Sequence, residues 1–166
     1  MSLPVNESLN SSRLAEQAAV VTGSIAIAAM PRLEQLSAEP KGEASYTLSF
    51  HENGAERPAV DGAIEATLVL ICQRCMESFE QPLSAQVHVE LLNDPEEQVR
   101  DADYEPFAPE GKLTIAELVE NELLLLVPIA PVHPYGVCGI AEQFEAKPED
   151  SRRPSPFAAL KDLNLK

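Results

Sequence analysis

The sequence predicts an α+β domain: an antiparallel β-sheet packed against one main helix, with a short N-terminal helix and a C-terminal tail. Three observations carry this. Two long runs of alternating apolar and polar residues flank Cys72-Gln73-Arg74-Cys75, and a period of two over such lengths belongs to half-buried strands. Joined across so short a turn, the two runs make a long hairpin with the C-x-x-C at its tip. Downstream, Thr114 and Glu117 form a T-x-x-E capping box ahead of an amphipathic run, which starts a helix.

The elements follow in chain order. Ser11 or Ser12 caps a short helix to about Val21, with Leu14, Ala18 and Val21 on one side. Gly23 ends it, and 24–29 reads as a short strand. Pro31 opens a turn of helix bearing Leu33 and Leu36 before the Pro40-Lys41-Gly42 turn. Over 44–50 the alternation sets Tyr46, Leu48 and Phe50 against Thr47, Ser49 and His51, and Glu52-Asn53-Gly54 turns the chain.

The next strand carries Ile64, Ala66, Leu68, Leu70 and Cys72 on one face, with Gly62 as a bulge or close-packing site. Its other face turns apolar at Val69 and Ile71. After the 73–78 turn, Phe79, Leu83, Ala85, Val87, Val89 and Leu91 share a face, opposite Glu80, Ser84, Gln86, His88 and Glu90.

Residues 93–111, rich in Asp, Glu and Pro, read as an acidic loop. In the helix after Thr114, Ile115, Leu118, Val119, Leu123 and Leu126 form the buried stripe. Glu117, Glu120 and Asn121 face water, and the all-apolar turn 123–127 requires packing on several sides. Pro128 stops this helix, and Pro131 and Pro134 hold the chain extended beyond it.

With 166 residues, 45% of them hydrophobic and 5% aromatic, the chain is long enough for one aliphatic core with appended ends. The expected divisions are an N-terminal helical segment 1–22, a core domain 23–140, and a linker with a basic tail 141–166. No stretch approaches the roughly 18 apolar residues of a membrane span. The N-terminus lacks a basic region followed by an apolar one. A cytoplasmic protein without a membrane partner is expected, and three cysteines do not make a disulfide framework.

A net charge of −15 repels a phosphate backbone at long range and attracts basic proteins, ribosomal proteins among them, although acidity also serves solubility alone. The tail over 152–166 is the basic island, at +3. Arg74, Arg152, Arg153 and Lys161 are the candidate contacts to RNA or to a partner.

Cys72 and Cys75, with His133 and Cys138, are the candidate ligands of a zinc ion. Two thiolates on a rigid turn supply half a tetrahedral set, and the extended segment after Pro128 brings the other half. Buried structural cysteines account for the same residues, since Cys72 continues the apolar face of its strand. A redox reading is disfavoured, because reactive C-x-x-C thiolates sit at a helix N-terminus and both flanks here are strands. No G-x-S-x-G elbow or phosphate-cradling glycine loop is present, so no enzyme is expected.

Cys72-Gln-Arg-Cys-Met76 on a strand end resembles the signature of the large ribosomal RNA subunit accumulation protein family, often called YceD. So do the helix from Leu113 with its Pro128-Ile-Ala-Pro-Val-His133 exit, and the closing Pro154-Ser-Pro-Phe-Ala-Ala-Leu-Lys161. The resemblance spans about 60–166 and implies a non-enzymatic role in synthesis, processing or stability of 23S ribosomal RNA. Taken with the charge, the expected partner is a ribosomal protein or large-subunit assembly intermediate, with limited RNA contact. Some relatives carry further cysteines beyond the position of Cys138, where this chain has Gly139, Ile140 and Ala141. A zinc-stabilised interaction module without a ribosomal role is the alternative.

Overall fold

The structure is a computed structural model that describes residues 8–92, 94, 97–99, 101–109, 112–134 and 137–138. By packing, 1–132 form one unit; of the second, 133–166, only His133, Pro134, Val137 and Cys138 are described. The fold is the expected α+β arrangement, a five-stranded sheet with few helices.

Helix α1 spans Ser11–Glu16 and is capped by Asn10, whose side-chain carbonyl accepts from the Arg13 amide at 2.9 Å. It is shorter than expected, ending before Ala18, which adopts φ +45°. Strand β1 is Val20–Ala26, so the expected helix to Val21 and strand at 24–29 are both corrected. Gly23 does not stop a helix; it sits mid-strand opposite Tyr46, where a Cβ would lie 2.6 Å from the tyrosine oxygen. Residues Ile27–Ala29 form a 3-10 turn leading into α2, Pro31–Leu36, with proline at its first turn.

Strands β2 (Glu43–Glu52), β3 (Pro58–Ile71) and β4 (Ser78–Leu91) continue the antiparallel sheet, and β5 (Glu105–Phe107) joins β4 in parallel. The order is β1-β2-β3-β4-β5. The alternation decides which face is buried: Tyr46, Leu48 and Phe50 from β2, Ile64, Leu68 and Leu70 from β3, and Val87 and Val89 from β4 point into the core. Helix α3, Ile115–Leu126, covers them with Ile115, Leu118, Val119 and Leu123, each fully buried. Every such aliphatic side chain contributes about 1.5–3 kcal/mol relative to exposure. Thr114 caps α3 through Oγ1, which accepts from the Glu117 amide at 3.1 Å.

Four expectations about exposure and order change. The acidic stretch 93–111 contains β5, anchored because Phe107 is buried and its carbonyl accepts from the Leu92 amide at 2.8 Å. The last turn of α3 is not enclosed: Leu125 is 74% exposed. Glu120, expected in water, is buried; its carboxylate accepts from the Arg32 and Leu33 amides (2.6 and 3.3 Å) and from Arg32 Nε (3.0 Å). Glu90, also expected in water, is fully buried. It accepts from Asn53 Nδ2 at 2.8 Å and from the Asp101 amide at 3.3 Å, with Arg57 Nε 3.7 Å away. A buried carboxylate survives when hydrogen bonds and a cation replace its water.

Gly62 is a close-packing site, not a bulge, since the β2–β3 register runs through it without interruption. A Cβ there would lie 2.1 Å from the Thr47 carbonyl oxygen, and backbone cannot yield as a side-chain tip can. Gly62→Ala is therefore expected to cost at least about 2 kcal/mol in urea unfolding; an unchanged midpoint would rule out this close approach. Among the described residues, no helix is long and apolar enough to cross a membrane.

Candidate metal centre

Ile71 pairs with Ser78, which leaves 72–77 to turn the chain between β3 and β4. Two backbone bonds shape the turn: the Cys72 amide donates to the Glu77 carbonyl, and the Met76 amide donates to the Cys72 carbonyl, both at 2.9 Å. Closing it puts Met76 at φ +62°, the left-handed region that glycine occupies without strain. The chain thus makes a glycine-type turn with a methionine that is 68% exposed. Met76→Gly is expected to raise stability by up to about 1 kcal/mol, because strain is relieved and little packing is lost. Thermal unfolding would show it as a higher midpoint, and a lower one would contradict the strain.

Inside the turn the Arg74 amide donates to Cys72 Sγ at 3.5 Å. An N–H aimed at sulfur supports the negative charge that a thiolate carries when it ligates a metal. Cys75 Sγ lies 4.0 Å from Glu77 Oε2. Cys72 is buried, while Cys75 and Arg74 are half-buried and Gln73 is exposed.

Helix α3 then aims its exit at this turn. Proline at 128, 131 and 134 keeps the segment extended, and the Pro131 carbonyl accepts from the Gln73 amide at 2.8 Å. His133 follows two residues later. The Val137 amide donates to the Pro134 carbonyl at 3.2 Å, a local turn that precedes Cys138. One ligand atom from each of Cys72, Cys75, His133 and Cys138 lies within 4.8 Å of the others. The four candidate ligands are therefore close together and could bind a metal.

The donor chemistry fits zinc. Three sulfurs and one imidazole nitrogen are a structural zinc set, and Zn–S bonds of about 2.3 Å place tetrahedral ligands about 3.5–3.8 Å apart. Tetrahedral ligation would need these atoms somewhat closer than the 4.8 Å within which they lie. His133 makes a fourth candidate ligand beside the three cysteines. All three cysteines are thiols, with no disulfide among the described residues.

The other candidates divide. Arg74 is on the turn, whereas Arg152, Arg153 and Lys161 lie outside the described residues. A polar cluster on the other face of β2–β4 also joins His51 and His88 through Asp61 and Tyr104. His51 Nε2 is 3.0 Å from the Tyr104 hydroxyl and 3.5 Å from Asp61 Oδ2. His88 Nδ1 hydrogen-bonds Asp61 Oδ1, and its ring stacks on Tyr104 with centroids 3.9 Å apart. Burial and the charges of Asp61, Asp101 and Asp103 push the Tyr104 hydroxyl above its ordinary range. The signal lay in strand register, since Asp61 pairs directly with His88.

Comparison with known proteins agrees with the motifs. The family profile described as "Large ribosomal RNA subunit accumulation protein YceD" matches residues 60–164. A protein of that description from Haemophilus influenzae is 30% identical over 148 residues, covering 82% of this chain and 83% of the relative. No solved structure matches. The profile match begins inside β3 and takes in the hairpin turn, α3 and all four candidate ligands, so the chain belongs to the YceD family of large ribosomal RNA subunit accumulation proteins.

Proposed function

We propose that this protein is a non-enzymatic ribosome biogenesis factor. It supports synthesis, processing or stability of 23S ribosomal RNA, acting in the cytoplasm chiefly through basic proteins such as a ribosomal protein or a large-subunit assembly intermediate. The observation that carries the reading is family membership across 60–164. The net charge of −15 supports protein rather than phosphate as the main contact, with Arg74, Arg152, Arg153 and Lys161 making any RNA contact. The non-enzymatic part rests on the C-x-x-C lying between two strands, away from the helix N-terminus that activates redox thiols.

In this reading zinc is structural, tying the hairpin tip to the α3 exit and presenting a stiff surface to the partner. The same four-ligand cluster also favours a second reading, a zinc-stabilised interaction module without a ribosomal role. Sedimentation of tagged protein, with a Cys72→Ser variant alongside, separates the two. Wild type is expected with large-subunit precursors and the variant displaced from them. Wild type at the top of the gradient, together with normal 23S RNA in its absence, would leave the second reading.

A further inference from the structure

We propose that the cleft between β5 and α3 is a docking groove for a basic segment of a partner protein, seating an arginine or lysine side chain beside Glu105 and Glu122 with an apolar neighbour against Leu125. The proposal rests on the reading that the partners are basic proteins and assigns them a contact site away from the thiol cluster.

The cleft has a volume of about 320 Å³ and apolar walls built by Val89, Pro106, Phe107, Leu124 and Leu125. That is the small end of the range for binding pockets, room for one or two side chains. Among the described residues β5 is the sheet edge, with no further strand beyond it. Leu125, on the last turn of α3, stands 74% exposed at the lip, and Leu126 beside it is exposed as well, whereas Leu118 and Leu123 are buried.

Two carboxylates, Glu105 and Glu122, border these walls. Burial and the neighbouring charge of Glu105 push the Glu122 carboxyl above its ordinary range. The cation at hand does not relieve them: Arg32 is held by Glu120 at 3.0 Å and by Asn121 Oδ1 at 2.5 Å. Among the described residues, neither Glu105 nor Glu122 has an ion pair. A cation placed there reduces their repulsion, and it does so beside a half-buried Glu122.

The charge also selects the occupant. A phosphate backbone is repelled by the carboxylates, and a second copy of a −15 chain repels the first. A cationic segment with an apolar neighbour satisfies walls and charges together.

The test uses the full-length protein, its amides followed by NMR during titration with a capped Gly-Leu-Arg-Leu-Gly peptide. The comparison is the same peptide with citrulline, which keeps the shape of arginine and removes the charge. Saturable shifts are expected at Phe107, Asn121 and Leu125, with the citrulline peptide at least ten-fold weaker. In a Glu105→Gln/Glu122→Gln variant the two peptides should bind alike. Equal binding of both peptides to wild type, or retained preference in the variant, overturns the groove.

Folding of the variant is checked by its pH profile. A carboxyl whose folded pKa is raised favours the protonated form, so wild type is penalised above the folded pKa and spared below the unfolded one. Glu122→Gln should therefore melt higher than wild type at pH 7, and the gain should vanish in acid. A lower melting point at pH 7 contradicts the strained pair. Sedimentation separates this proposal from the functional reading. Wild-type binding of the arginine peptide without precursor association defeats the reading and keeps the groove, whereas unchanged precursor association of the double variant defeats the groove.

Discussion

Cys72→Ser is expected to abolish binding of one zinc per chain and to lower the melting temperature by about 10 °C. Metal ligation in a structural site is coupled to folding, and losing one of four ligands forfeits several kcal/mol of that coupling. In a domain of this size each kcal/mol moves the midpoint by about 2–4 °C. Cys72 carries the effect because it is fully buried, continues the apolar face of β3 and accepts the Arg74 amide through its sulfur. Without metal, a hydroxyl in place of a thiol is a small change, so the loss should appear in zinc-loaded protein and shrink after chelation. Elemental analysis beside calorimetry, with and without chelator, checks both halves. Protein that binds no zinc and melts alike with chelator would remove the metal centre.

Glu90→Ala is the second large effect, expected at about 3–5 kcal/mol in urea unfolding. The carboxylate is fully buried, and its removal strands the Asn53 side-chain amide, the Asp101 amide and the guanidinium of Arg57, whose side chain is 17% exposed. Arg57 also pairs with Glu97, so the disturbance reaches the acidic segment after β4. Glu90→Gln separates the contributions: it retains acceptors for Asn53 and Asp101 but loses the charge facing Arg57. Its cost should fall between wild type and alanine. Equal stability of wild type and Glu90→Ala would mean that water replaces the carboxylate.

Glu90 also shows where reading a sequence stops. Period two placed β3 and β4 well, because burial on one face is written residue by residue: Leu83, Ala85, Val87 and Val89 are all buried. The Thr114 cap was equally legible, being local chemistry within one turn. The same alternation, however, put Glu90 in water. What buries it is Asn53 and Arg57, more than thirty residues earlier, and no local pattern carries that information. Glu120 repeats the case, since its partners are the backbone amides of Arg32 and Leu33 at the start of α2. Gly23 failed differently: its small size answers the ring of Tyr46 across the strand pair, and from sequence alone it looked like punctuation. The four candidate ligands were legible because cysteine and histidine are rare enough in this chain to be noticed one at a time.

The bond between the Gln73 amide and the Pro131 carbonyl ties together positions roughly sixty residues apart, with β4, β5 and α3 between them. Closing a flexible loop of that length costs about 3–4 kcal/mol in entropy. One hydrogen bond returns only about 1 kcal/mol, so it cannot draw the ends together by itself. The burial of Leu118 and Leu123 against the sheet must close the loop first. The extended segment after Pro128 is therefore expected to reach the hairpin tip only after α3 has packed. Two of the four candidate ligands lie on that tip and two follow that segment, so the set of four needs both parts in place. A metal ion held by all four would therefore depend on both the hairpin and the helix having been made.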